Sequence, residues 1–176
     1  MNPDNFAPIK PAPKSLDQIL PHFTVSVLPY DQKTKKATLL HRGSGVRSAK
    51  NCLAIPSGLL EHGEHFQDAI VRELGEELGI PMTHMHDLEF YTIYRNQPGD
   101  GFDWVIGVWS IAVDRLEEIA DNCEPDKHDW IEHLPLKTIH EMTGWQTKAV
   151  DWAGGLAQPL HVLTGKLLNF FNSQGK

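Results

Sequence analysis

Glu76 and Glu77 follow Glu73 by three and four residues, so a helix here would bring the three carboxylates onto neighbouring positions. Like charges repel at that spacing, and the negative end of a helix dipole disfavours them further. Gly79 marks that end, because glycine readily takes the left-handed conformation that follows many helices. Clustered carboxylate oxygens are the ligands that hard divalent cations prefer. The spacing alone fits either a surface helix with a solvated acidic end or a site for a divalent cation.

The three glutamates belong to a longer motif over residues 58–80. This motif resembles the signature of the Nudix hydrolases, in which a glycine, five residues, a glutamate and seven residues precede Arg-Glu-aliphatic-any-Glu-Glu-any-Gly-aliphatic. Every fixed position of that signature is filled here, by Gly58, Glu64, Arg72, Glu73, Leu74, Glu76, Glu77, Gly79 and Ile80. A short motif can match by chance, but a complete match at so many fixed positions is specific.

The resemblance implies metal-dependent hydrolysis of a diphosphate linkage, with Mg²⁺ or Mn²⁺ as the cofactor. Glu76 and Glu77 would be metal ligands. Glu73 would bind metal and would also orient or deprotonate the attacking water, although the family varies in which carboxylate acts as the base. The backbone carbonyl of Gly58 would be a further ligand, since a residue without a Cβ allows close approach.

Arg72 and Glu64 are expected to support these ligands. A guanidinium can hold a carboxylate through two hydrogen bonds, so Arg72 is predicted to fix the orientation of a neighbouring glutamate. Glu64 would hold the loop before the helix or reach an outer metal ion. Gly79 is a structural position of the motif.

A second acidic segment, residues 123–130, contains Glu124 and Trp130. It resembles the Glu-Pro-acidic-Lys stretch that precedes a tryptophan in Nudix enzymes acting on nucleoside triphosphates, with a shorter spacing and a histidine after the lysine. Glu124 would be a further metal ligand or an exposed loop acid. Trp130 would stack on a base or anchor a strand in the core. Phe23 is predicted as a second substrate-binding aromatic, and it too would either stack on a base or pack in the core.

The second half of the motif, with its three glutamates, is predicted to lie on a helix over His65–Leu78. Its apolar side consists of Ile70, Val71, Leu74 and Leu78, and the glutamates fall beside that stripe on a helical wheel. We therefore expect the carboxylates at the edge of a buried face, where a cleft can form.

Alternating apolar residues predict strands over residues 23–27, 37–41, 52–55, 88–95, 102–113 and 128–132. Pro29 and residues 31–36 are predicted to form a turn, residues 136–142 one or two helical turns, and a last helix begins near Pro159. Few helices among many strands indicate an α+β or α/β/α layered protein. The family resemblance implies an α+β fold of the Nudix type, an α/β/α sandwich with a mixed sheet. The proline-rich residues 1–14 are predicted to form an extended arm, and residues 15–176 a single domain.

The chain has 176 residues, 40% of them hydrophobic, and a net charge of −7. This charge disfavours general nucleic-acid binding and an RNA 5′-end hydrolase, which would present basic surfaces. The sequence contains no long apolar run and no apolar signal-peptide core, so we expect a cytoplasmic protein without a membrane span. The two cysteines are expected to be reduced.

The first choice of substrate is a nucleoside triphosphate, cleaved to the monophosphate and pyrophosphate. The alternative is a nucleotide sugar or ADP-ribose, for which related enzymes often form homodimers through an N-terminal arm. A catalytically silent nucleotide-binding protein is the non-enzyme alternative, and it predicts a damaged acid cluster. The motif determines the bond type, whereas the loops outside it determine the substrate.

Overall fold

The computed structural model describes residues 21–46, 49–96, 103–144 and 152–174. The predicted N-terminal arm, the loop after Asn96 and the boundary at residue 15 lie outside these ranges. The described chain forms a mixed sheet with helices on both faces, which confirms the predicted fold class.

The sheet has seven strands, and their order along the main path is β3-β2-β1-β6-β5, with β4 paired to β1 and β7 paired to β2. The strands are β1 His22–Asp31, β2 Lys36–Arg42, β3 Leu53–Ala54, β4 Ser57–Leu59, β5 Met85–Asn96, β6 Trp104–Val113 and β7 His128–Pro135. β1 and β6 run parallel, while the other pairs are antiparallel.

Strand β1 continues through Pro29, where the sequence predicted a turn. Proline cannot donate a backbone hydrogen bond and is therefore excluded from most central strands. β1 pairs with β4 over residues 24–26 and with β2 only from Tyr30 onwards, so Pro29 lies where β1 changes its neighbour on that side. The tight turn follows after Asp31, and Lys35 has a positive φ there.

Two hydrophobic cores cover the two faces of the sheet. Helix α1, Phe66–Leu78, and the short helix α2, Leu116–Ile119, lie over one face, against odd-numbered β1 residues such as Val25 and Val27. Helices α3, Leu136–Met142, and α4, Ala157–Gln174, lie over the other face. There they pack near even-numbered β1 residues such as Leu28 and Tyr30. Because successive side chains of a strand point to opposite faces, β1 contributes residues to both cores.

Most predicted elements are confirmed. Strands β1, β2, β5 and β7 are longer than predicted, whereas β3 and β6 are shorter. The short strand β4 and helix α2 were not predicted, because neither is long enough to show a period. Cys52 and Cys123 are free thiols, as expected. Among the described residues, no helix combines the length and apolar character that crossing a bilayer requires.

Candidate active site

Helix α1 ends where the sequence predicted. Gly79 has φ 65°, its N–H donates to the carbonyl of Gly75, and the N–H of Ile80 donates to the carbonyl of Leu74. These bonds satisfy carbonyls that would otherwise lack partners at the helix end. A Cβ on Gly79 would also lie 2.9 Å from the Cys123 sulfur. Throughout α1, all of which is described, no basic residue occupies the last turn, so its acids face an unfavourable dipole.

The three glutamates of α1, which we call the acid cluster, differ in burial. Glu73 and Glu77 are 7% and 3% exposed, while the side chain of Glu76 is 54% exposed. The prediction of a position beside the apolar stripe is therefore confirmed for Glu73 and Glu77. Glu76 instead lies on the outer rim of the cluster.

Arg72 connects the cluster to the preceding loop. Its Nε and Nη2 donate to the two carboxylate oxygens of Glu64 at 2.9 and 3.1 Å. Its Nη1 donates to Glu73 at 2.5 Å and to Glu76 at 3.1 Å, and Nη2 also donates to the carbonyl of Leu59. These bonds raise the pKa of Arg72, led by the bond to Glu64, and lower the pKa of Glu64. One guanidinium thus holds three carboxylates and the backbone of β4.

We expect Arg72→Lys to reduce kcat by about tenfold or more, because a single ammonium cannot reproduce the fork that holds Glu64 and Glu73 together. Steady-state kinetics and thermal melts of the purified variant would measure this. Arg115→Lys is the matched control, since Arg115 pairs only with Glu118 on the exposed surface among the described residues. Wild-type kcat in Arg72→Lys would show that Arg72 orients no group needed for turnover.

Gly58 and Glu73 are in direct contact. A Cβ built on Gly58 would lie 1.6 Å from Glu73 Oε1, so no other residue fits without moving that carboxylate. Gly58 therefore has a steric reason for being glycine, in addition to the carbonyl role that the family resemblance implies. Burial raises the pKa of Glu73, and the ion pair with Arg72 opposes this shift.

Glu77 is the most deeply buried acid of the cluster. Its Oε2 accepts a hydrogen bond of 3.0 Å from the backbone N–H of Ser57, which anchors α1 to β4. Burial raises the pKa of Glu77 to about 8, and the nearby Glu73 carboxylate adds to the shift. Without a cation, the folded protein therefore disfavours the ionised form of this carboxylate.

The turn before β7 brings two more side chains to the acid cluster. Glu77, Glu124 and His128 each place one ligand atom within 4.8 Å of the others. Glu124 Oε1 pairs with Lys127 at 2.7 Å, whereas Oε2 is buried and accepts no hydrogen bond from any described residue. The structure thus places the predicted ligand Glu124 beside Glu77. It also adds His128, which sequence reasoning missed.

His128 is 1% exposed, and burial lowers its pKa to about 4, with the positive charge of Arg42 contributing. Its imidazole is therefore neutral near pH 7. The spacing of four residues from Glu124 was the signal available in the sequence, but it becomes meaningful only when the intervening residues form a helical turn.

A cavity of about 580 Å³ opens beside the motif, on the sheet face that α3 and α4 cover. Its lining includes Ser57 and Gly58 from β4 and Thr24 and Ser26 from β1, with Tyr94, Trp104 and Trp152 as aromatic walls. Thr24 Oγ1 and Trp152 Nε1 are buried there without a hydrogen-bond partner among the described residues. Gly58 therefore lies between the acid cluster and a pocket with aromatic walls.

The two aromatic residues predicted to contact substrate, Trp130 and Phe23, lie outside this cavity. Trp130 is 52% exposed and stacks on His41, with ring centroids 4.1 Å apart, so the alternative of a core tryptophan is wrong. Phe23 is 45% exposed and points away from Thr24 and Ser26, as the alternation of β1 requires. Neither side chain lines the 580 Å³ cavity. Their substrate-binding roles stay predictions.

The sequence matches the NUDIX domain family over residues 20–153. An uncharacterized Nudix hydrolase of Schizosaccharomyces pombe is 33% identical over 89 residues, which is 50% of this chain and 42% of that protein. The match thus spans less than half the length of that relative.

Solved structures share the fold at low sequence identity. A MutT Nudix hydrolase from Burkholderia pseudomallei matches with a TM-score of 0.56 and 20% identity, over 67% of this chain and 85% of that chain. The Nudix domain of Shewanella oneidensis NrtR, solved in complex with ADP-ribose, matches with a TM-score of 0.62 and 13% identity, over 84% and 89% of the two chains.

Proposed function

The chain belongs to the Nudix family, and we propose that it is a metal-dependent hydrolase that cleaves a diphosphate linkage in a nucleoside diphosphate derivative. The observation that carries the proposal is the position of the acid cluster. Glu73 lies against Gly58, and Gly58 borders a cavity large enough for a nucleoside. Phosphates bound at the cluster would therefore lie next to a pocket for the rest of the substrate.

The residues present fit Mg²⁺ or Mn²⁺. Glu73, Glu76, Glu77 and Glu124 provide carboxylate oxygens, and Glu124 Oε2 is buried without a protein partner among the described residues. The carbonyl of Gly58 would complete the set. A bound divalent cation supplies charge neutralisation on the phosphates and lowers the pKa of a bound water.

The protein's own residues position this chemistry. Arg72 holds Glu73 and Glu64 on one guanidinium, and the N–H of Ser57 orients Glu77, so these bonds favour the conformers in which the carboxylates lie together. Glu73 is buried and ion-paired, whereas Glu76 is exposed, and these two are the candidates for accepting the proton of the attacking water. Lys127, next to Glu124, adds a positive charge that favours an anionic substrate.

A nucleoside triphosphate is the first choice of substrate, giving the monophosphate and pyrophosphate. The support is the segment from Glu124 to Trp130, which places one acid at the cluster and leaves the tryptophan exposed for stacking on a base. A nucleotide sugar or ADP-ribose is the second candidate. The aromatic cavity favours it, because such substrates carry two groups that each need a binding surface.

A substrate panel tests the proposal. The purified protein would be incubated with Mg²⁺ and nucleoside triphosphates, nucleotide sugars or ADP-ribose, and the products identified by chromatography. Monophosphate and pyrophosphate from a triphosphate are expected. Preferential cleavage of ADP-ribose would replace the first choice by the second. No hydrolysis of any member would favour the silent nucleotide-binding protein.

We expect Trp130→Ala to raise KM for the triphosphate by about 5- to 150-fold, which corresponds to the loss of about 1–3 kcal/mol of base stacking. Since Trp130 is exposed, the variant should keep its fold, and kcat should change little. Phe170→Ala is the control, because Phe170 is a similarly exposed aromatic on α4. An unchanged KM in a folded Trp130→Ala would exclude stacking on this residue.

A further inference from the structure

His128 is buried against the acid cluster without the partners that a buried imidazole normally has. Its side chain has no exposed surface, and neither ring nitrogen makes a hydrogen bond within the described parts of the chain. Nε2 lies 3.8 Å from Glu77 Oε1, which is too long for a hydrogen bond. Buried polar groups without partners are rare and costly, so this one requires an explanation.

The backbone of the turn directs His128 and Glu124 to the same side. The N–H of His128 donates to the carbonyl of Glu124 at 2.9 Å, the four-residue spacing of one helical turn. The side chain of Asn122 donates to the carbonyl of His128 at 2.7 Å and closes the loop. Residues four apart on such a turn are neighbours. The loop is therefore built to present the two side chains together.

Three groups with lone pairs thus converge on one point. A ring nitrogen of His128 and one oxygen each from Glu77 and Glu124 lie within 4.8 Å of one another. Glu124 Oε2 is buried and has no partner in the described structure, like the imidazole. A cation between them would satisfy all three groups at once.

We propose that His128 is a nitrogen ligand of the divalent cation, which it binds together with Glu77 and Glu124. The proposal rests on the metal-dependent function above and assigns a ligand that the Nudix signature does not contain. Imidazole suits Co²⁺, Ni²⁺ and Zn²⁺ better than Mg²⁺, which prefers oxygen ligands. The mixed donor set should therefore widen the metal preference of this protein beyond Mg²⁺.

The first test measures affinity, by titration calorimetry of the metal-free protein with Co²⁺ and with Mg²⁺. In His128→Gln, Co²⁺ should bind at least about tenfold more weakly, since losing even a residue that only orients a ligand costs that much. Mg²⁺ affinity should change less. His133→Gln is the matched control, because His133 lies on the same strand and its Nδ1 is hydrogen-bonded to Thr38. Equal Co²⁺ affinity in wild type and a folded His128→Gln would overturn the proposal.

The second test has its decisive signal in the wild type, so it remains informative if His128→Gln fails to fold. Pulsed electron paramagnetic resonance of the Mn²⁺-loaded wild type should show hyperfine coupling to a directly bound imidazole nitrogen, absent in His128→Gln and retained in His133→Gln. Saturable Mn²⁺ binding that depends on Glu77 but shows no nitrogen coupling would overturn the role of His128 alone. No saturable binding by the wild type would overturn the proposed function as well.

Discussion

Glu77→Gln is expected to lower kcat by at least about 10²-fold, the scale seen when one group that stabilises developing charge is removed. Glu77 is surrounded by the Ser57 N–H, by Glu73 and by the turn before β7. An amide keeps its size and can still accept the Ser57 hydrogen bond, so the fold should survive. The substitution removes only the negative charge of the carboxylate.

The same substitution should stabilise the metal-free protein. The pKa of Glu77 is raised from 4.5 to about 8 by burial, so the folded state retains a proton that the unfolded chain releases near pH 4.5. The protonated Glu77 carboxyl therefore makes its full contribution to the free energy of unfolding below pH 4.5. This contribution is lost as the pH rises towards 8. Glutamine does not titrate, so Glu77→Gln should melt higher than wild type at pH 8 and show a weaker pH dependence.

Kinetics with saturating Mg²⁺ and thermal melts in chelator would measure both effects. Glu118→Gln is the matched control, because Glu118 is exposed on α2 and pairs with Arg115. Glu118→Gln should leave kcat and the metal-free melting temperature near their wild-type values. Retained activity together with a large loss of metal-free stability would assign Glu77 a structural role instead.

Gly58→Ala is expected to lower kcat by about 10²-fold through a displaced carboxylate. The added Cβ would lie 1.6 Å from Glu73 Oε1, so Glu73 must leave its place on Arg72. Misplacing a catalytic group by about 1 Å is enough for a loss of this size. The backbone of Gly58 does not have a positive φ, so alanine adds no backbone strain there, and the loss of stability should be the smaller effect.

Gly75→Ala provides the matched control within the same motif. Gly75 lies inside α1, and a Cβ there would approach no atom closer than 4.0 Å. Alanine should therefore raise the free energy of unfolding by about 0.5–1 kcal/mol without affecting turnover. Near wild-type kcat in a folded Gly58→Ala would contradict the placement of Glu73 at the reacting centre.

The sequence predicted the parts of this molecule that a regular pattern or a fixed spacing encodes. Helix α1 and its end at Gly79 follow from apolar periodicity and the left-handed preference of glycine. The placement of Glu73 and Glu77 at a buried edge follows from the same helical wheel. The mixed sheet follows from alternating strands together with the family resemblance.

The remaining features depend on contacts between distant segments. Strand β4 has three residues, and only its pairing with β1 makes it a strand. Trp130 was predicted either to stack on a base or to anchor a strand in the core. It lies in β7, which pairs with β2, and its exposed side chain stacks on His41 of β2. His128 reaches Glu77 because a turn folds back onto α1, and no local pattern reports such a contact.

Metal dependence tests the central claim most directly. Hydrolysis of the best substrate from the panel would be followed in the metal-free protein, in excess chelator, and after Mg²⁺ or Mn²⁺ is restored. The acid cluster predicts no turnover above background in chelator and full recovery on restoring the metal, because the cation would supply the charge neutralisation on the phosphates and the activated water. Hydrolysis that continues at full rate in chelator would contradict the account.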